Sequence, residues 1–149
     1  MAAALRGLRA EYPDPETGLP RSMTLALDAL RDGPHALSEA FRRMQAKEAA
    51  AFMGDWSFAR LIDELAQARR PLLEADFGSG LLDPLMHGAR PDRAWFAQTA
   101  RLTAFGEAVM DRDVDAIAVN GVDRWIGGVH LTGYRCWRYA AVDGALAVA

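Results

Sequence analysis

The sequence predicts a mostly helical α+β domain. Three segments in the first half have apolar residues spaced three and four apart, which is typical of helices that bury one face. In the C-terminal third, Asn120-Gly121 and Asp143-Gly144 interrupt short apolar runs, a pattern typical of β-hairpins. The chain has 149 residues, enough for one well-packed domain or for a domain with a small appendage.

A short helix and a proline-rich linker are predicted at the N-terminus. Residues 2–12 contain two leucines one helical turn apart. Residues 13–20 contain three prolines and a glycine, which cannot continue a helix. We therefore assign residues 1–20 to an N-terminal helix and linker, and residues 21–149 to the main domain.

Three helices are expected to form the core of that domain. The first begins at Ser22, whose hydroxyl suits a helix N-cap, and it ends at Asp32-Gly33-Pro34. The second covers residues 36–50. The third begins with Asp55 as its cap and ends at Arg69-Arg70-Pro71. The residues on their predicted buried faces are Met23, Ala26, Leu27, Leu30, Leu37, Ala40, Phe41, Met44, Phe58, Leu61, Ile62 and Leu65.

The second half of the chain alternates extended and helical segments. Residues 71–76 and 95–102 are expected to be extended, and the Gly- and Pro-rich residues 77–92 separate them. A helix over residues 102–110 follows, with Thr103 as its N-cap. The two hairpin signals then predict a C-terminal β-ribbon.

The order of these elements, three helices followed by a strand pair, is that of a winged helix-turn-helix. The run Leu102-Thr103-Ala104-Phe105-Gly106 resembles the Leu-Thr-x-x-Gly turn that precedes the final helix of many winged-helix proteins. We therefore predict a winged helix-turn-helix-like core with a C-terminal β-ribbon. In proteins of that fold, the third helix enters the major groove of DNA.

Most of the chain, from residue 18 to residue 139, resembles the C-terminal half of a family of uncharacterised bacterial proteins with a winged-helix-like fold. The resembling segments are Gly18-Leu19-Pro20-Arg21-Ser22, Phe52-Met53-Gly54-Asp55-Trp56-Ser57-Phe58, Leu102-Thr103-Ala104-Phe105-Gly106, Asn120-Gly121-Val122-Asp123-Arg124-Trp125-Ile126-Gly127-Gly128-Val129-His130-Leu131 and Trp137-Arg138-Tyr139. Members carry a further domain upstream, and an aspartate often stands where this chain has Ala140. An activity that depends on either feature is therefore not expected here. The resemblance implies a fold but no reaction.

Composition limits the functional classes. The net charge is −3, whereas nucleic-acid-binding domains are usually basic, so avid non-specific binding to nucleic acid is disfavoured. No window approaches the ~18 uninterrupted apolar residues of a membrane span, and we expect no membrane association. The N-terminal residues are too polar for a secretory signal, and the single Cys136 fits a reducing compartment. We expect a cytoplasmic protein.

The most informative segment covers residues 123–139, which combine tryptophans and arginines with the last histidine and the only cysteine of the chain. Tryptophan and arginine are enriched at recognition hot spots, and adjacent glycines allow close approach of a backbone. In this interpretation the arginines bind an anion, and the tryptophans bind a flat or apolar group. The candidate binding residues are Arg124, Trp125, Gly127, Gly128, His130, Trp137 and Arg138.

A second interpretation treats the same segment as scaffold. Trp125, Val129 and Leu131 would then point inward on a strand, because side chains alternate between the faces of a sheet. Arg124 and His130 would face solvent, and Trp137 would fill the core. The sequence leaves both interpretations open.

No residue pattern defines a reaction. His130 and Cys136 could form a nucleophile pair, but a lone cysteine is more often a small buried apolar residue. The three histidines lack metal-ligand spacing. The acidic residues 111–115 lack the glycine and the distal glutamate of a calcium loop. We therefore expect no catalytic residue, no metal and no cofactor.

The predicted function is that of a non-catalytic interaction module of a bacterial protein, which recognises another protein or domain; a homodimer is left open. The alternative is a winged-helix DNA-binding domain of the transcription-regulator type. Its candidate contacts on the third helix are Trp56, Arg60, Arg69 and Arg70. Residues 55–70 carry three positive and three negative charges, so this helix lacks the phosphate attraction that drives DNA binding.

Overall fold

The computed structural model describes residues 7–47, 53–75, 91–140 and 144–148. The chain combines helices and strands, as the α+β prediction states. It divides into two compact units. We name residues 25–107 the helical unit, and residues 1–24 together with residues 108–149 the hairpin unit.

The helices are α1 (Arg21–Asp28), α2 (Leu37–Ala46), α3 (Asp55–Gln67), α4 (Arg93–Ala97), α5 (Ala104–Met110) and α6 (Ala116–Asn120). The strands are β1 (His35–Ala36), β2 (Leu73–Ala75), β3 (Thr99–Leu102), β4 (Val122–Ile126), β5 (Val129–Gly133), β6 (Trp137–Ala140) and β7 (Ala145–Val148). Residues 7–10 are also helical. Helices α1 and α5 each contain residues of both units.

Apolar helix faces and a small sheet build the helical unit. The sheet is antiparallel with the order β1-β3-β2, and Ala100 of the central strand pairs with both His35 and Ala75. The predicted buried faces of α2 and α3 are confirmed, except that Phe41 is only half-buried against the ring of Phe58, 4.8 Å away between centroids. Each fully buried side chain of this size contributes about 1.5–3 kcal/mol.

Two of the predicted helix caps are wrong, because both residues lie inside the helices that they were expected to precede. Helix α1 begins at Arg21, before Ser22, because the Ser22 hydroxyl donates to Glu11 Oε2 at 2.6 Å instead of capping the helix. Helix α3 begins at Asp55 itself, and Gly54 precedes it with no side chain to cap the first turn. The cap at Thr103 is confirmed, since its hydroxyl accepts from the Gly106 backbone N–H at 3.0 Å.

The extended segment predicted at residues 95–102 is confirmed only in its second part, which is β3. Its first part belongs to α4, because the Asp92 carboxylate accepts from the Trp95 backbone N–H at 2.8 Å and starts a helix there. The strand predicted at residues 71–76 is confirmed as β2. The predicted loose stretch, residues 77–92, lies outside the described residues up to residue 90.

The hairpin signal at Asn120-Gly121 is wrong, whereas a hairpin does lie around Asp143-Gly144. Asp115 Oδ1 accepts from the backbone N–H groups of the first turn of α6, so the apolar residues after it form a helix instead of a strand. Gly121 ends this helix with a positive φ of 75°. Strand β6 pairs with β7, with Ala140 opposite Ala145, and residues 141–143 between them lie outside the described residues.

The segment predicted as a linker forms part of the hairpin unit. The carbonyl of Pro13 accepts from the Tyr139 N–H at 2.9 Å, and the carbonyl of Thr17 accepts from the Ala116 N–H at 2.8 Å. The apolar core of this unit consists of Ile117, Ile126, Leu131 and Cys136, with Tyr12 and Val122 packed against it.

In the part of the chain that the structure describes, no helix combines the length and the apolar character needed to cross a membrane.

Candidate functional site

The turn between β4 and β5 consists of Gly127 and Gly128. Both have positive φ angles, 55° and 84°, which is the backbone conformation that the tightest hairpin turns require and glycine adopts without strain. The two predicted site glycines are therefore explained by the turn itself. A Cβ atom added at Gly127 would lie 3.8 Å from Leu8 Cδ2, so the turn has the N-terminal helical residues beside it.

Three side chains form one cluster on the solvent face of this hairpin. Trp125 and His130 pair across the strands, and their rings stack in parallel with 4.6 Å between centroids and 1° between planes. His130 Nε2 lies 2.6 Å from Asp123 Oδ1. Ile126 and Val129 flank the two-residue turn and exchange backbone hydrogen bonds. The next pair, Trp125 and His130, is therefore a non-hydrogen-bonded pair, in which the strands come closer and the side chains make contact. We name Asp123, Trp125 and His130 the stacked cluster.

The stacked cluster exposes its indole. One face of the Trp125 ring lies on the imidazole, yet 68% of the residue is exposed, so the opposite ring face is open to solvent. Ile126 and Leu131 point to the other face of the hairpin and are buried in the core. The scaffold interpretation is therefore confirmed for Leu131 but wrong for Trp125, because the strand register pairs Trp125 with His130 on the solvent side. It is also wrong for Val129, which is 38% exposed next to the turn.

Arg124 lies on the inner face of β4. Successive side chains alternate along the strand, so Arg124 shares the face of the buried Ile126 and is itself half-buried. Its Nη2 atom is 3.9 Å from Met23 Sδ. The expectation that Arg124 faces solvent is therefore met only in part.

A second exposed surface lies on the hairpin of β6 and β7. Trp137 is 47% exposed and pairs with Val148, while Tyr139 pairs with Leu146 on the same face. Because side chains alternate between the two faces of each strand, these four apolar side chains lie on one face of the hairpin. We name them the apolar face. The prediction that Trp137 fills the core is wrong, because the face of β6 that points inward is the one that carries Arg138.

The expectation that Arg138 offers its guanidinium to an anion in solvent is wrong. Arg138 is only 3% exposed, and its charge is matched inside the hairpin unit. Its Nη2 donates to Asp115 Oδ2 at 2.7 Å, and its Nη1 donates to the Asp14 carbonyl at 3.3 Å. Asp115 uses its other oxygen to cap α6, so one carboxylate connects the buried cation to the helix N-terminus.

A nucleophile pair of Cys136 and His130 is not formed. Cys136 belongs to the buried core together with Leu131, which neighbours His130 and points to the opposite face of β5. Burial raises the pKa of the Cys136 thiol, so the neutral and unreactive form is favoured. Among the described residues, no three side chains of His, Cys, Asp or Glu lie close enough together to hold a metal ion.

The alternative site on α3 exposes charges of both signs. Of the predicted contacts, the Arg60 guanidinium lies over the ring of Trp56, 5.3 Å from its centroid, and Arg70 lies over the ring of Phe105 at 4.6 Å. Arg69 is exposed just beyond the helix. The charged residues exposed on α3 itself are Asp55, Arg60 and Glu64.

An open groove of about 490 Å³ lies beside the end of α3, between that helix, β2 and the start of α5. Its polar walls include Gln67, Arg70 and Glu74, and Phe105 contributes an aromatic wall. The charges of Arg70 and Glu74 are opposite, so the groove has no single sign of charge that would select an anion or a cation.

Sequence reasoning missed Asp123 and the β7 half of the apolar face. Asp123 stands two residues before Trp125, a spacing that places both on one face of a strand, so this signal was present. Leu146 and Val148 show the same alternation.

Comparisons of this chain with protein-family models, with curated proteins and with solved structures found no match. The resemblance to the bacterial family therefore stays a prediction.

Proposed function

We propose that the hairpin unit is a protein-recognition module that binds its partner through the stacked cluster and the apolar face. One observation carries the proposal. Among the described residues, every large apolar side chain that is exposed belongs to the hairpin unit. These residues are Leu8, Trp125, Val129, Tyr134, Trp137, Leu146 and Val148. Concentrated exposure of this kind marks interaction sites, because leaving such surface in water costs free energy.

The two tryptophans are the expected anchors of this interaction. Tryptophan is enriched among the residues that dominate binding energy. Burial of one exposed tryptophan contributes about 1.5–3 kcal/mol. The rigid hairpins lower the conformational entropy lost on binding, since Trp125 is already oriented by its stack on His130. Because the one cysteine, Cys136, is a buried free thiol, we also propose a cytoplasmic location for the module.

The proposal is tested by capture followed by a direct binding measurement. A photo-crosslinking amino acid at position 137, in the native host, attaches the contacting protein. That protein is then purified, and its affinity for the full chain is measured by calorimetry. We expect Trp125→Ala and Trp137→Ala each to weaken binding about tenfold, which corresponds to about 1.4 kcal/mol.

Trp56→Ala is the matched control, because it truncates a half-buried tryptophan of the helical unit. We expect it to leave the affinity unchanged. Parental affinity in both hairpin variants would refute the module. Loss of affinity in Trp56→Ala alone would move recognition to α3.

A second candidate rests on the topology of the helical unit. We propose that this unit is a winged helix, supported by the chain order α1-β1-α2-α3-β2 with β3 following, and by the antiparallel sheet order β1-β3-β2. Winged helices often bind DNA through the third helix. The mixed charges exposed on α3 oppose this use.

DNA binding is tested by an electrophoretic shift assay with random duplex at low salt. We expect no shift at micromolar protein. A shift that disappears in Arg60→Ala would favour the DNA-binding candidate over the recognition module.

A further inference from the structure

We propose that the open edge of β7 pairs with the same edge of a second copy of this chain, so that two β6–β7 hairpins join into one four-stranded antiparallel sheet. The inference goes beyond the proposed function, because it concerns the edge of this hairpin and not the apolar face. Its basis is the direction of the backbone groups of β7 and their fit to the identical groups of a copy related by a two-fold axis.

The edge of β6 that lies away from β7 contacts the N-terminal segment. On that side the Tyr139 N–H donates to the Pro13 carbonyl at 2.9 Å. Along an antiparallel strand, the backbone groups of successive residues point to opposite edges. Tyr139 and Leu146 are therefore a non-hydrogen-bonded pair of the β6–β7 ladder, and Trp137 and Val148, two residues along, are another.

Leu146 and Val148 consequently point their N–H and C=O groups away from β6. Among the residues that the structure describes, β6 is the one strand that pairs with β7. All four residues of β7 are exposed, and they include no charged residue and no proline, the types that usually protect an edge strand from pairing with another chain. This edge is therefore competent to accept a further strand.

A second copy of β7 matches this edge when the two-fold axis passes at Ala147. Leu146 of each copy then lies opposite Val148 of the other, and each of these two pairs exchanges two backbone hydrogen bonds. The four bonds use every outward N–H and C=O of Leu146 and Val148 in both copies. Ala147 lies opposite Ala147 of the second copy in a non-hydrogen-bonded pair, and alanine introduces neither charge nor bulk where the strands are closest.

Charge and side-chain pattern favour the same occupant. Each chain has a net charge of −3, but β7 itself is neutral, so no like charges meet at the edge. Residues directly opposite each other in a sheet point to the same face, so the two apolar faces become continuous, with Leu146 of one copy beside Val148 of the other. The contact is isologous and closes after two copies. One short strand buries less than the about 1,200 Å² of stable complexes, so we expect a dissociation constant of about 100 μM.

The register is tested by disulfide trapping in the full chain. Ala147→Cys places a thiol at the axis, where the Cα atoms of a non-hydrogen-bonded pair are about 4.5 Å apart and within the range of a disulfide. Ala145→Cys is the matched control, because Ala145 is an exposed alanine of the same strand whose counterpart would lie about 13 Å away along the strand. Cys136 is buried, and the parent chain gives the background. We expect at least about fivefold more covalent dimer from Ala147→Cys than from Ala145→Cys.

The association itself is measured by sedimentation. The mass should rise from 16.3 kDa toward twice that value as the protein concentration passes the expected dissociation constant. Ala147→Lys places two like charges opposite each other and should weaken the dimer at least about tenfold. Ala145→Lys adds the same charge away from the axis and should weaken it no more than about twofold. Circular dichroism checks that both variants keep the fold.

Three results would overturn the inference: equal trapping of the two cysteine variants, equal weakening by the two lysine variants, or a monomer up to about tenfold above the expected dissociation constant. A monomer that loses its captured partner in Ala147→Lys would assign the edge to a strand of that partner. The recognition module is judged separately, by the affinity of the partner for Trp125→Ala and Trp137→Ala. A dimer with parental affinity in both tryptophan variants would retain the inference and refute the module.

Discussion

Loss of the buried Arg138 should destabilise the hairpin unit more than a substitution at an exposed position does. In Arg138→Met the apolar stem is retained, but the bonds to Asp115 and to the Asp14 carbonyl disappear. Removing one partner of a buried ion pair costs about 3–5 kcal/mol, because the other charge stays without compensation. The Asp115 side chain is 26% exposed, so water solvates part of that charge. We therefore expect a loss of about 2–3 kcal/mol in the free energy of unfolding.

Replacing Asp115 should lower the free energy of unfolding more than replacing Arg138. Asp115→Asn retains an oxygen that can cap α6, yet it leaves the cation of Arg138 in a site that is only 3% exposed. We expect a loss of about 3–4 kcal/mol. The double variant removes both charges and should lose at least about 1 kcal/mol less than the sum of the single changes.

The assay is urea unfolding followed by circular dichroism and by tryptophan fluorescence. With a slope of about 2 kcal/mol per molar urea, Arg138→Met should move the midpoint down by about 1–1.5 M. Arg135→Met makes the same chemical change at an exposed position, so it should stay within about 0.5 kcal/mol of the parent. If Arg138→Met also stays within that range, or if the two single changes add, the buried pair does not stabilise the unit as argued.

Three further outcomes follow from the described contacts. Burial raises the pKa of Asp63, so ionisation of this carboxyl lowers the free energy of unfolding as pH rises above 3.8. Thermal unfolding of Asp63→Asn should show a gain of about 1 kcal/mol at pH 7 and no gain at pH 3. Hydrogen bonds from Arg42 and Arg43 lower the pKa of Glu39 from 4.5 to about 2. Its contribution to stability is therefore complete above pH 4.5 and is lost as pH falls through 2. Glu39→Gln should flatten the acid limb of a curve of stability against pH. Gly18→Ala should cost about 2 kcal/mol in urea unfolding, since φ is +69° and the new Cβ would overlap the carboxylate that caps α6.

A specific result would contradict each of these three predictions. A stability gain from Asp63→Asn that is equal at both pH values would contradict burial as its cause. An unchanged acid limb in Glu39→Gln would contradict the role of its hydrogen bonds. For Gly18, Gly144→Ala is the control, because its φ of +70° matches that of Gly18 but nothing lies within 4 Å of the added Cβ. Equal losses of unfolding free energy at the two glycines would show that the overlap with Asp115 does not cause the destabilisation.

Helix cores were predictable from the sequence because their determinants are local. Phe58, Ile62 and Leu65 repeat at the period of a helix, and burial of that stripe needs no knowledge of its partner. Thr103 was predictable for the same reason, since a cap acts on a backbone group three residues away.

Errors arose where a second local signal competed with the first. Asn120-Gly121 is a strong hairpin signal, but Asp115 caps the preceding segment and makes it helical, so the glycine ends a helix. Asp92 has the same effect ahead of Trp95. Propensity alone does not decide between such signals.

The candidate site was predictable by composition but not by orientation. The prediction named Trp125, Trp137 and Arg138, yet which face each occupies depends on strand register and on distant partners. Arg138 is buried because it bonds to residues 23 and 124 positions away along the chain. No pattern within a short window contains that information.

The hairpin unit is discontinuous: a whole folded body, residues 25–107, is inserted between its two stretches of chain. During synthesis from the ribosome, the helical unit emerges complete while the hairpin unit still lacks its strands. The carbonyls of Pro13 and Thr17 stay without their donors until the N–H groups of Tyr139 and Ala116 have been translated. Trimming residues 7–24 would therefore remove part of the hairpin unit itself, including the carbonyls that accept from Tyr139 and Ala116.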